Sequence, residues 1–434
     1  MVVRIGKPMY GGTFAASNGA ESTFVLPGEL VRGSDEGSAG MTVLEPAEGR
    51  VFPRCVHFGV CGGCHYQHAV YKMQPEIKRE ILAGLLGDAG LGAMPSVEVL
   101  AGEPWGYRNR IRLRVQAGAD GALEFGYSLA ASNVFLPVRM CPIAAPVLWR
   151  AVEALRAVAA EKKLRGWLAD ASEVELFSDG EQKAVQMQLF LHEAGPVTRQ
   201  AGSLDAFALS VQASLPELTG VGAMLSPDLS RRKRRSWEGA GWGADGLKYV
   251  VDGRSYWVRR GAFFQVNRFL VDDLVRLVIA ESGGGGELAW DLFAGVGLFS
   301  RALAERFGLV VAVEGGEQAA GDLLAAARAA PGLEAVHRPV FDFLVEQQTQ
   351  RERPEVVVLD PPRAGLGSEG AALLARIAPE RVVYVSCDPV TLARDLRVLV
   401  GSGYRVGGVH LVDLFPQTFH IETVVRLERG PGRR

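Results

Sequence analysis

The sequence predicts an α/β protein whose C-terminal part forms a parallel β-sheet with helices on both faces. Short apolar runs alternate there with helical stretches, which is typical of a doubly wound sheet. The predicted strands are residues 288–292, 310–314, 355–360, 382–387 and 409–414, and the helical stretches include 299–307 and 391–400. A last strand, 421–427, follows after six residues, which are too few for a helical crossover, so we expect it to pair antiparallel.

Two further domains are predicted before this sheet. Residues 1–50 contain short strand-like runs, such as 22–26, that end at turn residues, and they indicate a small β domain. Residues 51–255 are mixed, with helical periodicity and strand-like runs. The helices are 71–86 and 144–161, the strands are 110–115, 174–177 and 184–191, and a polar, basic stretch at 226–243 indicates a loop. We therefore expect three domains in the 434 residues: 1–50, 51–255 and 256–434.

Composition argues against a membrane protein and against a secreted one. No apolar run is long enough to span a bilayer, and the N-terminus lacks the apolar core of a secretory signal. The formal net charge is −2, so a nucleic-acid partner would have to be held by local basic clusters. Of the five cysteines, three lie within residues 55–64, which indicates metal binding or catalysis rather than disulfides. We expect a cytoplasmic monomer.

A glycine-containing turn follows the first predicted strand of the sheet. Within residues 291–299, Gly295 and Gly297 let the backbone turn tightly and approach a ligand where a Cβ would clash. Glu314 ends the next strand, where a carboxylate can accept hydrogen bonds from both hydroxyls of a ribose. A dinucleotide site is the competing interpretation, but residue 300 is Ser where that fingerprint has its third glycine. The order of strand, turn, helix and acid favours a nucleoside-containing cofactor over a plain glycine-rich turn.

Reactive side chains follow the later strands at the same edge of the sheet. Asp360 and Arg363 lie in a stiff Asp-Pro-Pro-Arg segment after one strand. Cys387 ends the next strand, and Glu422 begins the last one. Ligands bind beyond the carboxyl ends of such strands, so we expect a nucleophile, a base and a cation to face the cofactor crevice. The competing interpretations are an ordinary buried strand cysteine for Cys387 and a solvated glutamate for Glu422.

These segments resemble successive motifs of the RNA uracil-5-methyltransferase family. The matching stretches are 291–299, 360–363, 386–389 with 391–396, and 413–422, and the resemblance continues upstream in Phe263-x-Gln265-x-Asn267. The resemblance implies a C-terminal S-adenosylmethionine-dependent methyltransferase domain with a seven-stranded, Rossmann-like sheet. Residues 1–50 resemble a TRAM domain, the small OB-type β-barrel that serves this family in RNA binding.

The resemblance also implies roles for individual residues. Cys387 would be the covalent nucleophile and Glu422 the base that removes the C5 proton, with Arg363 as the cation near the pyrimidine carbonyls. Contacts to S-adenosylmethionine are implied for Gln265, Phe293, Gly295, Gly297, Leu298, Glu314, Asp342 and Asp360, and an RNA contact for Phe263. The sequence departs from the family at Ala294, where the family often has Cys, and at Asp388, where it often has Asn.

Three close cysteines predict a metal centre. Cys55, Cys61 and Cys64 leave Cys141 as the one candidate for a fourth ligand once Cys387 is assigned to catalysis. Four thiolates suit either tetrahedral zinc or a [4Fe–4S] cluster, and spacing alone does not choose between them. The pattern Cys-x5-Cys-Gly-Gly-Cys-x-Tyr-Gln-His with a distant Cys resembles the iron–sulfur subset of the family. That resemblance implies a [4Fe–4S] cluster with a structural or RNA-binding role.

Two basic segments are candidates for RNA contacts. Arg108, Arg110, Arg112 and Arg114 alternate in one predicted strand and would share one face of it. A row of guanidinium groups favours phosphate binding, and pairing with local Asp and Glu is the alternative. A denser run of basic residues, 231–235, lies in the predicted loop. It could bind the RNA backbone or be only a solvated segment.

The predicted function is therefore S-adenosylmethionine-dependent C5-methylation of a uridine in RNA. We expect 23S ribosomal RNA as the substrate, because the cluster-bearing members of the family mostly act there. A transfer-RNA uridine, or a cytosine, is the alternative within the same fold. A catalytically silent RNA-binding or ribosome-assembly protein and a dinucleotide oxidoreductase with an iron–sulfur centre are the alternatives from other classes.

Overall fold

The structure is a computed structural model that describes residues 2–33, 41–161, 164–192, 203–226, 239–350 and 353–430. The chain divides into two compact units. Unit 1 comprises Met1–Arg54, Cys64–Gly102 and Leu270–Arg434, and unit 2 comprises Cys55–Gly63 and Glu103–Phe269. The basic run 231–235 lies outside the described residues. Within the described ranges, no helix combines the length and the apolar character needed to cross a membrane.

The secondary-structure elements are numbered in chain order. The strands are β1 (Val2–Met9), β2 (Thr13–Ala16), β3 (Glu21–Thr23), β4 (Leu30–Arg32), β5 (Thr42–Glu45), β6 (Val97–Leu100), β7 (Arg110–Ala117), β8 (Leu123–Ser128), β9 (Phe135–Pro137), β10 (Ala171–Ser178), β11 (Val185–Leu191), β12 (Leu218–Leu225), β13 (Ala240–Gly243), β14 (Gly246–Val251), β15 (Arg254–Arg259), β16 (Gly286–Leu292), β17 (Phe307–Glu314), β18 (Leu333–His337), β19 (Val356–Leu359), β20 (Arg381–Ser386), β21 (Tyr404–Val412) and β22 (Glu422–Arg429). The helices are α1 (Met73–Asp88), α2 (Pro146–Ala160), α3 (Gly166–Ala169), α4 (Leu204–Ser214), α5 (Val271–Glu281), α6 (Ser300–Leu303), α7 (Glu317–Arg328), α8 (Val340–Gln347), α9 (Gly367–Ile377) and α10 (Pro389–Gly401).

The N-terminal part of unit 1 is a five-stranded antiparallel sheet of order β3-β2-β1-β4-β5. Along β1 the buried residues Val3 and Ile5 alternate with exposed ones, as expected for a strand with one face in a core. The β structure predicted for residues 1–50 is therefore present, and the sheet belongs to unit 1.

The large sheet of unit 1 has the order β18-β17-β16-β19-β20-β22-β21-β6. Strands β16 to β20 pair parallel, and β22 lies antiparallel between β20 and β21, as predicted for the last strand. The sheet has eight strands rather than the seven predicted, because β6 adds parallel to β21 at one edge. Strands such as β19 are buried at every residue, because helices cover both faces of a parallel sheet.

Two local predictions need correction, and one strand was not predicted. The helix predicted at 299–307 is shorter and comprises only α6, because Phe307 already begins β17 and pairs with Gly286. Strand β18 was not predicted; its central residues are only half buried, so it lacks a continuous apolar run. In the stretch 226–243, predicted to be a loop, Ala240–Gly243 forms β13 at the edge of a sheet.

Unit 2 contains a seven-stranded mixed sheet of order β13-β12-β11-β10-β7-β8-β9 and the separate hairpin β14-β15. Its predicted strands β7, β10 and β11 and its predicted helix α2 are present, and α2 begins with a proline at the first helical position. One face of the sheet packs with α2 and α4 into an apolar core that includes Leu113, Val174 and Phe207.

Candidate active site

The predicted nucleophile and base lie opposite each other on neighbouring strands of unit 1. In the antiparallel pairing of β20 with β22, Ser386 is the partner of Thr423. Continuing this register by one residue brings Cys387 opposite Glu422, at the point where β20 ends and β22 begins. Sequence reasoning placed both residues at this edge of the sheet, and the register accounts for their proximity.

The electrostatics of this edge link four of the predicted site residues. Glu422 is buried, with 3% of its surface exposed. Burial raises the pKa of the Glu422 carboxyl well above its ordinary value, the negative charge of Asp360 adds to this, and Arg363 opposes it. Burial also raises the pKa of the Cys387 thiol to about 12, with the charges of Glu422 and Asp360 adding to the increase and Arg363 again opposing it. The four side chains therefore form one interacting group.

The segments that carry Arg363 and Cys387 are tied to their neighbours by hydrogen bonds. The Arg363 guanidinium lies 3.1 Å from Nδ1 of His420. The Thr391 hydroxyl donates to the Arg363 carbonyl at 3.0 Å, which joins the Asp-Pro-Pro-Arg loop to the first turn of α10. Asp388 caps that helix, because its Oδ1 accepts from the backbone N–H groups of Val390 and Thr391 at 3.1 and 2.9 Å.

Helix α1 holds the loop between β21 and β22. The Gln74 side chain donates to Gln417 Oε1 at 2.9 Å and accepts from the Gln417 backbone N–H at 2.8 Å. Lys78, which is fully buried, donates to Asp413 Oδ1 at 2.6 Å and to the Phe415 carbonyl at 2.9 Å. Since this loop leads directly into Glu422, α1 helps to determine where the carboxylate lies.

The glycine turn after β16 has the geometry of a ligand-binding loop. Phe293, Gly295 and Gly297 have φ angles of +62°, +57° and +87°, a region that favours glycine. A Cβ built on Gly295 would meet nothing within 4 Å, so this residue borders open space. One carboxylate oxygen of Glu314 accepts from the Gly295 N–H at 2.8 Å and the other from the Gly316 N–H at 2.5 Å. The acid that follows β17 thus fixes the turn and remains half exposed beside it.

The other predicted cofactor contacts of unit 1 occupy different environments. Leu298 is buried within the turn, and Asp342 is exposed in the first turn of α8. Asp360 is half buried, and its backbone N–H donates to the Leu292 carbonyl at 3.3 Å. Asp291 is fully buried and accepts a hydrogen bond from the Ser300 hydroxyl, and burial raises its pKa to about 7. Acidic residues therefore lie in or just after the carboxyl-terminal parts of β16, β17, β18 and β19.

Gln265 and Phe263 belong to unit 2. Gln265 is 5% exposed, and its backbone carbonyl accepts from the Asn109 side chain at 3.0 Å. Phe263 is 66% exposed, an unusual position for a large apolar ring.

The arginine row lies on one face of the unit 2 sheet but is largely paired there. Arg110 lies 3.5 Å from Glu175, and two guanidinium nitrogens of Arg112 donate to the same carboxylate oxygen of Glu173. Arg114 donates to the Asn133 carbonyl at 2.7 Å, and Arg108 to the Arg110 carbonyl at 3.0 Å. Aromatic rings lie beneath three of the four guanidinium groups: Phe177 at 4.1 Å, Phe190 at 3.9 Å and Phe135 at 5.7 Å. Pairing with local glutamates, the alternative interpretation of this row, is therefore present at Arg110 and Arg112.

Of the predicted cluster cysteines, Cys64 belongs to unit 1, and Cys55, Cys61 and Cys141 belong to unit 2. Burial raises the pKa of Cys141 to about 11, and the neighbouring thiols of Cys55 and Cys61 contribute to this increase. These three sulfurs are therefore close enough to interact. Among the described residues, however, no group of three or more His, Cys, Asp or Glu side chains lies close enough together to hold a metal ion. Thiols are suitable metal ligands, but the four cysteines do not form a preassembled metal site in this structure.

Several residues beside the site were not predicted from the sequence. Tyr10 of the N-terminal sheet donates to Asp388 Oδ2 at 3.0 Å, and the His65 ring lies 4.6 Å from the Phe419 ring. Lys78 and its partner Asp413 were also missed. The sequence offered a signal only for Asp388, because an acidic residue before a proline is typical of a capped helix start. The contacts of Tyr10 and Lys78 join residues more than 300 positions apart, so no local pattern predicts them.

The fold and the site together define a class. A parallel sheet with an antiparallel final strand, a glycine turn after β16 and an acid after β17 is the arrangement of S-adenosylmethionine-dependent methyltransferases. The family model for tRNA (uracil-5-)-methyltransferase matches residues 337–430. The 23S rRNA (uracil(1939)-C(5))-methyltransferase RlmD of Enterobacter sp. (strain 638) is 32% identical over 391 residues, 88% of this chain and 83% of that protein. The chain therefore belongs to the RNA uracil-C5-methyltransferase family.

Two further comparisons extend over almost the whole chain. An uncharacterized RNA methyltransferase of Thermotoga maritima is 30% identical over 465 residues, 99% of both chains. The crystal structure of Pyrococcus abyssi tRNA (uracil-54, C5)-methyltransferase, solved with S-adenosyl-L-homocysteine, superposes with a TM-score of 0.74 at 23% identity. It covers 98% of this chain and 100% of its own, so the fold extends beyond the catalytic sheet.

Proposed function

We propose that this protein methylates C5 of a uridine in RNA through a covalent adduct between Cys387 and C6 of the base. Uracil C5 is too weakly nucleophilic to take a methyl group from a sulfonium unaided. Addition of the Cys387 thiolate to C6 moves electron density to C5 and the adjacent carbonyl, which makes C5 a carbon nucleophile. Arg363 supplies a positive charge at this edge for the oxygen on which that electron density accumulates.

After methylation, C5 carries both the methyl group and a proton. Removing this proton returns the electron pair to the ring, so that the C6–S bond breaks and the thiolate leaves. Glu422 is proposed as the base, because it lies opposite Cys387 in the strand register and its raised pKa makes it a better proton acceptor than an ordinary glutamate.

S-adenosylmethionine is the methyl donor in this proposal. The residues proposed to hold it are Gln265, Phe293, Gly295, Gly297, Leu298, Glu314, Asp342 and Asp360. The open space beside Gly295 and the half-exposed carboxylate of Glu314 support this set. Glu314 already receives two backbone N–H groups, which leaves further lone pairs on its oxygens for ribose hydroxyls.

The single observation that carries the proposal is the interacting group of Cys387, Glu422, Asp360 and Arg363. The test uses RNA containing 5-fluorouridine, in which C5 has no proton to lose after methylation, so the adduct cannot resolve. The wild-type enzyme with S-adenosylmethionine should form a stable protein–RNA adduct visible in denaturing gels. Cys387→Ala should abolish it while binding S-adenosylhomocysteine normally, and an undiminished adduct in that variant would contradict the covalent route.

We propose 23S ribosomal RNA as the substrate, with transfer RNA as the alternative. The first is supported by the relatives named as 23S rRNA methyltransferases at 31–33% identity, and the second by the fold shared with a tRNA methyltransferase. Methylation of both RNAs in vitro, followed by nucleoside mass spectrometry, separates the two. Methyl transfer to transfer RNA alone would overturn the ribosomal assignment.

We further propose that Cys55, Cys61, Cys64 and Cys141 bind a [4Fe–4S] cluster. The proposal is supported by the set of four thiols and by the interaction of Cys141 with Cys55 and Cys61. Anaerobically purified protein should contain four iron atoms per chain, about the content of one such cluster, and lose them in Cys141→Ser. Protein that binds zinc and no iron would overturn the assignment.

RNA contacts are proposed for the exposed Phe263 ring and for the arginine row of β7. Arg112 and Arg114 are the accessible members, because Arg110 lies largely buried against Glu175. Their support is the position of the basic strand beside the aromatic rings of Phe190 and Phe135.

A further inference from the structure

The turn between β1 and β2 of the N-terminal sheet reaches the segment that carries the nucleophile. This turn is Tyr10-Gly11-Gly12, and the two glycines have φ angles of +106° and +83°. A Cβ on Gly12 would lie 3.1 Å from a ring carbon of His65, so the close approach requires glycine there. The Tyr10 ring meets the Phe419 ring edge-on, with centroids 5.7 Å apart.

The hydroxyl of Tyr10 has a specific partner next to the thiol. It donates to Asp388 Oδ2 at 3.0 Å, while the other oxygen of Asp388 accepts from the first two backbone N–H groups of α10. On the other side of the thiol, the Ser386 hydroxyl donates to the Asp388 carbonyl at 3.0 Å. The backbone on both sides of Cys387 is therefore held through Asp388.

We propose that Tyr10 is a positioning residue for Cys387, acting through Asp388 to fix the backbone from which the thiol projects toward the base. This inference rests on the proposed function and adds to it a residue 378 positions away from Asp388 in the sequence. A hydrogen bond to a carboxylate is about twice as strong as one between neutral groups, so the loss of one hydroxyl has a measurable effect. The contact restrains Oδ2 of Asp388, whereas the bonds to the start of α10 restrain Oδ1.

The Tyr10 hydroxyl stays protonated over the working range of the enzyme. Burial raises its pKa, and the carboxylate of Asp388 raises it further, while Arg363 opposes the shift. It therefore remains a hydrogen-bond donor at neutral pH. Loss of the Tyr10 hydroxyl should lower the rate at which Cys387 adds to the base, and it should not add a new ionising group to the pH dependence of that rate.

The experiment measures adduct formation with 5-fluorouridine RNA in a single turnover, using the full-length enzyme. Tyr10→Phe should slow adduct formation about tenfold, while the affinities for the RNA and for S-adenosylhomocysteine stay within about twofold. A role confined to folding or RNA binding would instead change these affinities or the melting temperature. The pH dependence of the rate should keep its shape.

A double-mutant cycle tests whether Tyr10 acts through Asp388. In an Asp388→Ala background, Tyr10→Phe should have less than about a twofold further effect, because the partner is already gone. Tyr404→Phe is the matched control: its hydroxyl donates to the Pro379 carbonyl at 2.7 Å at the opposite end of β21, so it should lose stability and keep its rate.

The outcomes separate this inference from the proposed function. If wild-type enzyme forms no adduct, the proposed function fails and the role of Tyr10 with it. If wild type forms the adduct and Tyr10→Phe forms it equally fast, only the role of Tyr10 is overturned. Full additivity with Asp388→Ala would also overturn it, since Tyr10 would then act by another route.

Discussion

Where β20 ends and β22 begins, the Cys387 thiol and the Glu422 carboxyl each interact with the negative charge of Asp360 and the positive charge of Arg363. Burial and mutual repulsion raise the pKa of Cys387 and of Glu422, and Arg363 partly offsets both shifts. A thiol whose pKa is raised to about 12 is protonated at neutral pH, so in this resting state the nucleophile is not activated. Activation must come from the bound substrates or from proton transfer to a neighbouring carboxylate.

The pH dependence of Glu422→Gln tests this electrostatic coupling. Adduct formation requires the thiolate, so its rate should rise with pH. Because the Glu422 carboxylate is one of the groups that raise the thiol pKa, its loss should move this rising limb to lower pH. With ordinary uridine RNA, Glu422→Gln should also retain methylated RNA, since the C5 proton has no acceptor.

Single-turnover rates across pH and denaturing gels provide both measurements for Glu422→Gln. Glu428→Gln, at the far end of the same strand, is the matched control and should behave like wild type. An unshifted rising limb together with normal product release would exclude Glu422 as the base.

Asp291 gives a second pH effect, this time on stability. Its folded pKa is raised to about 7 from an ordinary value of 3.8, because the charged form is buried. The folded state therefore holds this proton more tightly than the unfolded state, so the stabilising contribution is present below about pH 4 and is lost as pH rises toward 7. The stability of wild type relative to Asp291→Asn should fall across this window by a few kcal/mol, on the order of 1.4 kcal/mol per pKa unit.

Urea midpoints of wild type and Asp291→Asn, measured across pH, test this difference. Asn keeps the acceptor for the Ser300 hydroxyl, so the comparison isolates the ionisation. If the stability difference between wild type and Asp291→Asn stays constant from about pH 4 to 7, or grows in favour of wild type, the raised pKa of Asp291 is contradicted.

At the scale of elements, helix α1 supports the catalytic loop. It buries Ile77, Ile81, Leu82 and Leu86 on one stripe and presents Gln74 and Lys78 to the loop between β21 and β22. Lys78 and Asp413 form an ion pair with no exposed side-chain surface. Desolvation lowers the pKa of Lys78, and Asp413 opposes this shift, so the charged form depends on its partner.

Lys78→Met should therefore destabilise unit 1. It leaves the Asp413 carboxylate buried with the Tyr71 hydroxyl as a remaining donor, at 2.9 Å, and removing one partner of a buried pair costs about 3–5 kcal/mol. Thermal unfolding and the rate of methyl transfer should both show the loss, because the loop leads into Glu422. Arg79→Met, at an exposed pair with Glu76 on the same helix, should cost less than about 1 kcal/mol. Equal losses in the two variants would contradict the support role of Lys78.

At the scale of the whole molecule, the chain consists of two units with separate cores. The glycine turn, the acid after β17 and the catalytic group all belong to unit 1. Unit 1 is assembled from three stretches of chain, and β6 and α1, which precede the whole of Glu103–Phe269, are part of it. The N-terminal sheet is also part of unit 1, so Tyr10 and Cys387 share one compact body.

Binding of the cofactor product should stabilise unit 1. S-adenosylhomocysteine at about 100 times its Kd should stabilise the unit that binds it by about 2.7 kcal/mol. Hydrogen exchange with mass spectrometry should show increased protection around β16, β17 and the turn between β16 and α6. NAD at the same concentration is the control and should give no protection there. Protection confined to Cys55–Gly63 and Glu103–Phe269 would contradict a cofactor site in unit 1.

Local patterns along the chain predicted the alternation of strands and helices, the antiparallel last strand and the strand ends at which reactive residues lie. These features depend on local periodicity and on connection length, so the order of residues along the chain was enough to assign Cys387, Glu422 and Asp360 to one edge. Gly295 and Glu314 could be assigned to the cofactor site in the same way, because their proposed role depends on a residue type at a fixed spacing along the chain.

Which distant segments meet at that edge is known only from the folded molecule. Tyr10 at Asp388, Lys78 at Asp413 and the eighth strand β6 join parts of the chain that no periodicity relates. The arginines of β7 show the same limit, since whether Arg110 and Arg112 face phosphate or glutamate depends on the neighbouring strand β10. Pairing across strands and burial of charge are properties of the packed molecule, because the partner's position and the lost water exist only after folding.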